Sequence, residues 1–364
     1  MLNLCRCTQS LLPDGVSVCD TGRVKVEQRA GPLETVACCR HAPEYHSSVE
    51  SDGPGSLNPG EILDERFLIT ERISRSGTAM IFKAQDLENE NADVAVKVPH
   101  ACYEREAGFL GQFWREEEIG LELDHPFIVK FIPIPGRRSR PYVVTEYVRG
   151  CTLAHLLEAM SPLPQTDTMQ IGCLLCEALQ YLHDHHVVHC DLKPHNVMIG
   201  CDGTLRLLDF GLAQSTTLHR SRQDGGVLAM GTPDYMAPEQ VEGNRCDART
   251  DIYCLGAMLY EMLTGRQPFE GDNLLILMNA RMQGDPAPLR EFNSEISPMV
   301  ERMVLRCLRR RPSARPQSAL ALGALLQDAL ALVSVHRDLA PGRARFETVL
   351  RRFREAIRSS FSRS

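Results

Sequence analysis

The sequence predicts an α+β fold in which a small antiparallel sheet comes first and a larger, mostly helical body follows. From Phe67 to Val98 apolar residues fall in short alternating runs, among them Met80-Ile81-Phe82 and Val94-Ala95-Val96, which is the period of pleated strands. Later they recur at helical spacing, most clearly over Leu153–Leu157, Met169–Leu182 and Ile252–Leu263. Strands first and helices after them indicate a sheet lobe and a helical lobe. The 364 residues suffice for one large two-lobed domain with tails.

Residues 1–59 mix Gly, Pro, Ser and Cys without a sustained period and end near Asp52-Gly53-Pro54-Gly55-Ser56, so they read as a flexible Cys-containing extension. After the sheet a helix is expected over Glu104–Leu123. A strand pair follows, Ile128–Phe131 with Tyr142–Glu146, and ends at Tyr147-Val148-Arg149-Gly150. Ala319–Val335 is the most apolar long segment, but Gln327 and Asp328 interrupt it, so it reads as an amphipathic helix of a soluble core. The organisation expected is an extension over 1–59, a two-lobed domain over 60–334 whose lobes meet at 146/147, and a basic amphipathic tail over 335–364.

Lys and Arg number 40 against 47 Asp and Glu, and the formal net charge of -7 argues against wholesale nucleic-acid binding. Fourteen cysteines scattered through helix, strand and loop patterns favour reduced thiols over a disulfide framework. The N-terminus lacks the basic stretch and apolar run of a signal peptide, so the expected location is cytoplasmic. In the tail, Phe346, Val349, Leu350, Phe353 and Ile357 share a helical face among arginines. Packing on the helical lobe or a partner protein is preferred there to contact with an anionic membrane.

The chemistry concentrates in His189-Cys190-Asp191-Leu192-Lys193-Pro194-His195-Asn196, followed thirteen residues after Asn196 by Asp209-Phe210-Gly211. Phosphoryl transfer from ATP needs this inventory, because the protein's task is positioning and charge neutralisation. Asp191 can accept a proton from a substrate hydroxyl and Lys193 can neutralise the γ-phosphate. Asn196 and Asp209 offer the hard oxygens that hold Mg²⁺, with Mn²⁺ as an alternative.

These loops resemble the catalytic and magnesium loops of the protein kinase superfamily. The resemblance runs from about Gly60 to Leu332 and is strongest to the eukaryote-like serine/threonine kinases of bacteria. It implies the bilobal protein-kinase fold, with one key helix in the sheet lobe, and protein substrates. Val94-Ala95-Val96-Lys97 resembles the strand that meets ATP, with Ala95 at the nucleotide and Lys97 on the α- and β-phosphates. Among Glu116, Glu117 and Glu118, the spacing to His125-Pro126 selects Glu116 as the partner of Lys97. Thr145 would lie beside the adenine pocket, and the backbone of Glu146 to Val148 would form the hinge. Gly231-Thr232-Pro233-Asp234-Tyr235-Met236-Ala237-Pro238-Glu239 is similar to the segment that docks the acceptor, with Thr232 at the site. Thr232 and Lys193 both point to the serine/threonine branch. Asp251 would support the catalytic loop from a buried helix, and Arg315 would pair with Glu239.

Two departures matter. Ile73-Ser74-Arg75-Ser76-Gly77-Thr78-Ala79-Met80-Ile81 has Ser, Ser and Ala where the family usually has glycine. A non-glycine residue forced to positive φ costs about 1–2 kcal/mol, so weakened ATP affinity is expected. Cys190 replaces the arginine that in many relatives pairs with a phosphorylated activation loop. Phosphorylation between Asp209 and Glu239 is therefore not expected to be required. A catalytically weak pseudokinase scaffold is the rival reading, and the complete set Lys97, Glu116, Asp191, Asn196 and Asp209 argues against it. A small-molecule kinase of related fold has no use for the Gly231–Glu239 platform.

Several clusters invite a metal reading. His183, His185, His186 and His189 are better read as fold positions flanking the catalytic turn, and Cys173 with Cys176 as core residues of a helix. Cys5, Cys7, Cys19, Cys38, Cys39 and His41 lack the paired spacing of a zinc knuckle.

Overall fold

Alternation along the first strands turns one face of a sheet into a core and leaves the other for function. In the computed structural model of the chain, residues 16–18, 24–26, 57–215 and 233–335 are described. Thr232, Gly231, the cysteine–histidine cluster of the extension, Thr216, Thr217, Ser221 and the tail beyond residue 335 lie outside them. The chain divides into two compact units, Met1–Glu44 and Tyr45–Ser364. In the first, β1 (Val16–Val18) pairs antiparallel with β2 (Val24–Val26).

The second unit opens with a five-stranded antiparallel sheet in sequence order, β3 (Ile62–Leu63), β4 (Phe67–Arg75), β5 (Ala79–Asp86), β6 (Ala92–Pro99) and β7 (Val143–Glu146). Phe67, Ile69, Phe82, Ala84, Val94, Val96, Val98 and Val144 fill its buried side. With that face occupied by Val94, Val96 and Val98, the period of two sends Ala95 and Lys97 to the other. The register sets Ala95 opposite Thr145 and Lys97 opposite Val143.

Between β6 and β7 runs α1 (Ala107–Glu122), whose buried residues Phe113, Glu116, Glu117 and Gly120 share one helical stripe. Gly120 permits the close approach, since a Cβ there would lie 2.3 Å from the Phe131 ring. The strand expected at Ile128–Phe131 is reduced to isolated bridges, Ile128 with Leu207 and Phe131 with Thr145. Backbone bonds from Ile132 N to Val144 O and from Glu146 N to Lys130 O continue the pairing. Pro133 and Pro135 follow at once and have no N–H to extend it.

The helical lobe begins with β8 (Gly150–Thr152) and α2 (Leu153–Met160), where the Thr152 hydroxyl caps the helix by accepting from His155 N. α3 (Gln165–Asp184) buries Met169, Ile171, Leu175, Cys176, Ala178, Leu179 and Leu182. Each large aliphatic side chain so buried contributes about 1.5–3 kcal/mol. Two short antiparallel pairs carry the loops of interest: β10 (Val197–Gly200) with β11 (Leu205–Leu207), and β9 (Val187–Val188) with β12 (Gln214–Ser215). After α4 (Pro238–Val241) comes α5 (Ala248–Thr264), capped by Asp247 and Gly265 and buried along nearly its whole length. Around it lie α6 (Leu274–Gln283), α7 (Pro298–Cys307) and α8 (Ala319–Val335). Ala319, Leu322, Leu326 and Ala329 of α8 face the core while Leu320 and Leu332 are exposed. Among the described residues no helix is long and apolar enough to cross a membrane.

Candidate active site

Lys97 reaches from β6 to two carboxylates that come from opposite lobes. Its Nζ donates to Glu116 Oε1 and Oε2 at 2.9 and 2.8 Å and to Asp209 Oδ1 at 3.0 Å. Burial opposes the Lys97 charge, but Asp209 and Glu116 overcome it and raise its pKa above the ordinary ammonium value. Glu116 is pushed up to about 7, first by burial and then by Asp209, against the pull of Lys97. Asp209 goes the other way. Burial would raise it, yet Lys97 and the Gly211 N–H hold it well below the usual carboxylate range. One cation is thus shared between the buried Glu116 carboxylate and the partly exposed Asp209 carboxylate.

The neighbouring loop is shaped from beneath. Asp251, fully buried on α5, accepts from His189 N and Cys190 N at 2.9 Å each and from His183 Nε2 at 2.8 Å. Those two backbone bonds hold the turn in which Cys190 has φ +64°, a conformation L-residues adopt only when the surroundings impose it. His189 continues the support: Nε2 faces Leu208 O at 3.0 Å, so Nδ1 is the acceptor for Asp191 N at 3.3 Å. Asp191 emerges with Lys193 Nζ on its Oδ2 at 2.7 Å.

Asn196 donates through Nδ2 to Asp191 O at 2.9 Å and Oδ2 at 3.1 Å. A carbonyl can only accept, so this bond fixes the amide orientation and leaves Oδ1 as the free-facing acceptor. Leu208 N bonds to Asn196 O at 2.8 Å and brings Asp209 alongside. Asp209 is a third exposed and uses Oδ1 for Lys97 and Gly211. An amide oxygen and a carboxylate, on segments that the backbone bond from Leu208 to Asn196 joins, are hard donors of the kind Mg²⁺ requires, so the residues fit that ion.

The turn that replaces the glycine loop differs from expectation. None of Ile73, Ser74, Arg75, Ser76, Gly77, Thr78, Ala79, Met80 and Ile81 takes a positive φ, so the strain foreseen for its non-glycine residues does not arise. Ser76 closes it, its N–H and hydroxyl both donating to Ala79 O while Oγ accepts from Ala79 N at 3.0 Å. At the segment expected to form the hinge, Glu146 Oε1 accepts from Lys130 N and Arg206 Nε, tying β7 to β11 just before Val148.

Cys190 lies in an apolar patch with Val188, Cys246 and Leu212. Gln240, which the sequence did not single out, joins the loops: its Nε2 donates to Cys190 O at 2.7 Å and its Oε1 accepts from Ala237 N at 2.9 Å. Its position directly after the quoted Ala-Pro-Glu run was the available signal. Arg315 and Glu239 meet through two bonds of 2.7 and 2.8 Å. Among the described residues no three Cys, His, Asp or Glu side chains gather as a metal-ligand group.

The family model for the protein kinase domain matches residues 70–326. The chain belongs to the protein kinase family. Its sheet lobe with one helix and its helical lobe are the bilobal fold of that family. Among its relatives are the serine/threonine-protein kinases PknB of Mycolicibacterium smegmatis, 32% identical over 283 residues, and of Mycobacterium leprae, 33% over 284. Each alignment covers 77% of this chain and 44% of the relative. A probable serine/threonine-protein kinase of Streptomyces coelicolor is 34% identical over 261 residues, 71% of this chain and 39% of the relative. This kinase chain thus matches less than half the length of those curated relatives.

Proposed function

We propose that this kinase transfers the γ-phosphate of ATP to serine and threonine hydroxyls of proteins. The supporting observation is the shared grip of Lys97 on Glu116 and Asp209, beside a loop in which Asp191, Lys193 and Asn196 are mutually bonded. Lys97 holds the α- and β-phosphates, and Glu116 keeps its ammonium in place. Lys193 neutralises the γ-phosphate as charge develops. Asp191, oriented by its bonds to Lys193 and Asn196, accepts the proton of the attacking hydroxyl. Bound Mg²⁺, or Mn²⁺, would supply charge neutralisation between the phosphates, and Asn196 with Asp209 would hold it. Ala95, Thr145 and the backbone of Glu146 to Val148 take the adenine, the Ile73–Ile81 turn covers the phosphates, and Thr232 serves the acceptor.

The catalytic domain is assigned to 60–334, with the lobes meeting at 146/147. Activity without activation-loop phosphorylation is part of the reading, because the Cys190 thiol sits among apolar neighbours and cannot bind a phosphate as a guanidinium would. A cytoplasmic setting accords with the free thiols at Cys151, Cys173, Cys176 and Cys254 among others. The test is incorporation of label from γ-labelled ATP with Mg²⁺ into the protein itself and into generic protein substrates, wild type beside Lys97→Met. Equal signals from the two would reject the proposal.

A further inference from the structure

Helix α1 carries three consecutive glutamates, and successive residues on a helix point about 100° apart. Glu116 takes Lys97, Glu118 is exposed, and Glu117, almost buried, points to neither. Its partner is Arg138, in the loop before β7. Arg138 Nη2 donates to Glu117 Oε1 at 2.6 Å, and Nη1 donates to Glu117 Oε2 at 3.0 Å and to Tyr142 O at 2.7 Å. The guanidinium carbon also lies 5.0 Å from the Trp114 ring and 5.2 Å from the Tyr142 ring. Side-chain exposures of 13% for Arg138 and 11% for Glu117 make this a largely desolvated, bidentate pair, the strong kind.

Its anchor is fixed. Ser139 N donates to both carboxylate oxygens of Asp64 at 3.2 Å, and Tyr142 OH donates to Asp64 Oδ2 at 2.9 Å. Tyr142 directly precedes Val143, which lies opposite Lys97 in the sheet. The contacts therefore close a ring: Lys97 to Val143 by strand register, Tyr142 O to Arg138, Arg138 to Glu117, and the adjacent Glu116 back to Lys97. A second arginine of the same loop, Arg140, pairs with Glu104 ahead of the helix.

We infer that Arg138 is a positioning residue for phosphoryl transfer, clamping α1 to the sheet so that Glu116 stays on Lys97. The inference rests on the proposed kinase activity. Without Arg138, Glu117 is left as a nearly buried carboxylate, and the relief open to it is for α1 to swing outward toward water, taking Glu116 off Lys97.

The chain's single tryptophan, Trp114, sits on α1 against Arg138 and is 37% exposed, so its fluorescence reports the clamp without any assay of turnover. In Arg138→Met, acrylamide quenching of Trp114 should rise. The turnover number should fall about tenfold to hundredfold, as misplacing an orienting group does. The KM for ATP should move less, because the hinge is untouched. Arg138→Lys keeps a charge beside Glu117 but lacks the fork, so it should restore part of the lost rate. Wild-type turnover together with wild-type quenching in Arg138→Met overturns the clamp. Should that variant fail to fold, Arg138→Lys and Glu117→Gln are measured instead, and wild-type values of both quantities in both variants overturn it equally. A wild type that transfers no phosphate would sink the kinase reading instead, while the quenching comparison would still decide whether Arg138 holds α1.

Discussion

Replacing Arg315 by methionine tests how the helical lobe is held beneath the active site. Arg315 is fully buried, and every N–H of its guanidinium is used. Nε donates to Arg309 O at 2.7 Å. Nη1 donates to Glu239 Oε1 at 2.7 Å and Arg249 O at 2.8 Å, and Nη2 to Glu239 Oε2 at 2.8 Å and Arg310 O at 2.9 Å. Methionine fills similar space but leaves the Glu239 carboxylate with the Thr250 hydroxyl as its remaining side-chain donor. Stranding one member of a buried ion pair costs about 3–5 kcal/mol, and the Arg309 and Arg310 carbonyls, which lie outside the helices and lose their Arg315 donor, push the expectation toward the upper end. At about 2–4 °C per kcal/mol for a domain near this size, the melting temperature should drop by roughly 6–20 °C. Far-UV circular dichroism during heating, with urea unfolding alongside, measures it. The double variant Arg315→Met/Glu239→Leu should recover much of the loss, because the stranded charge is gone. A single variant that melts with the wild type would refute the argument that this pair is structurally coupled to folding.

Asp191→Asn should slow transfer by roughly 10²–10⁴ with a native far-UV circular dichroism spectrum, since it breaks the ion pair with Lys193 but no contact of the apolar core; a variant that has lost that spectrum would mean that Asp191 is needed for folding. For Glu116, the folded-state value near 7 against 4.5 means the native state keeps a proton that the unfolded chain has released. Its contribution to stability is therefore present below pH 4.5 and declines as pH rises from 4.5 to about 7. The urea stability of wild type relative to Glu116→Gln should fall across that window, and a flat difference would count against the assigned burial. Replacing Ser215, Thr216, Thr217 and Ser221 together by alanine should preserve most turnover in the label-incorporation assay. Loss of activity there would restore a role for activation-loop phosphorylation despite Cys190.

How much of this site can be read from the chain depends on whether a residue acts through its order in the sequence or through a contact that folding creates. Lys97, Asp191, Asn196 and Asp209 stand in motifs of fixed order, and the structure joins Lys97 to Asp209 across 112 positions of sequence. Glu116 could be chosen from three adjacent glutamates only by its distance to His125-Pro126; the helix sorts them, one to Lys97, one to Arg138 and one to solvent. The Ile73–Ile81 turn shows the opposite limit. Absent glycines suggested strain, yet strain depends on φ, and the hydroxyl of Ser76 closes a turn that needs no positive φ at all. Arg138 was illegible for a related reason. The stretch from Pro133 to Arg140 has two prolines, a glycine and three arginines and no period, so it looks like a solvated connection. Its meaning appears only when Asp64, 75 positions earlier, fixes the backbone at Ser139 and turns the neighbouring guanidinium onto α1. The general consequence concerns the catalytic state itself: Lys97 and Glu116 are specified by motif, but what keeps them together is a loop whose sequence advertises nothing, so variation in that loop can change activity without touching a recognisable kinase residue.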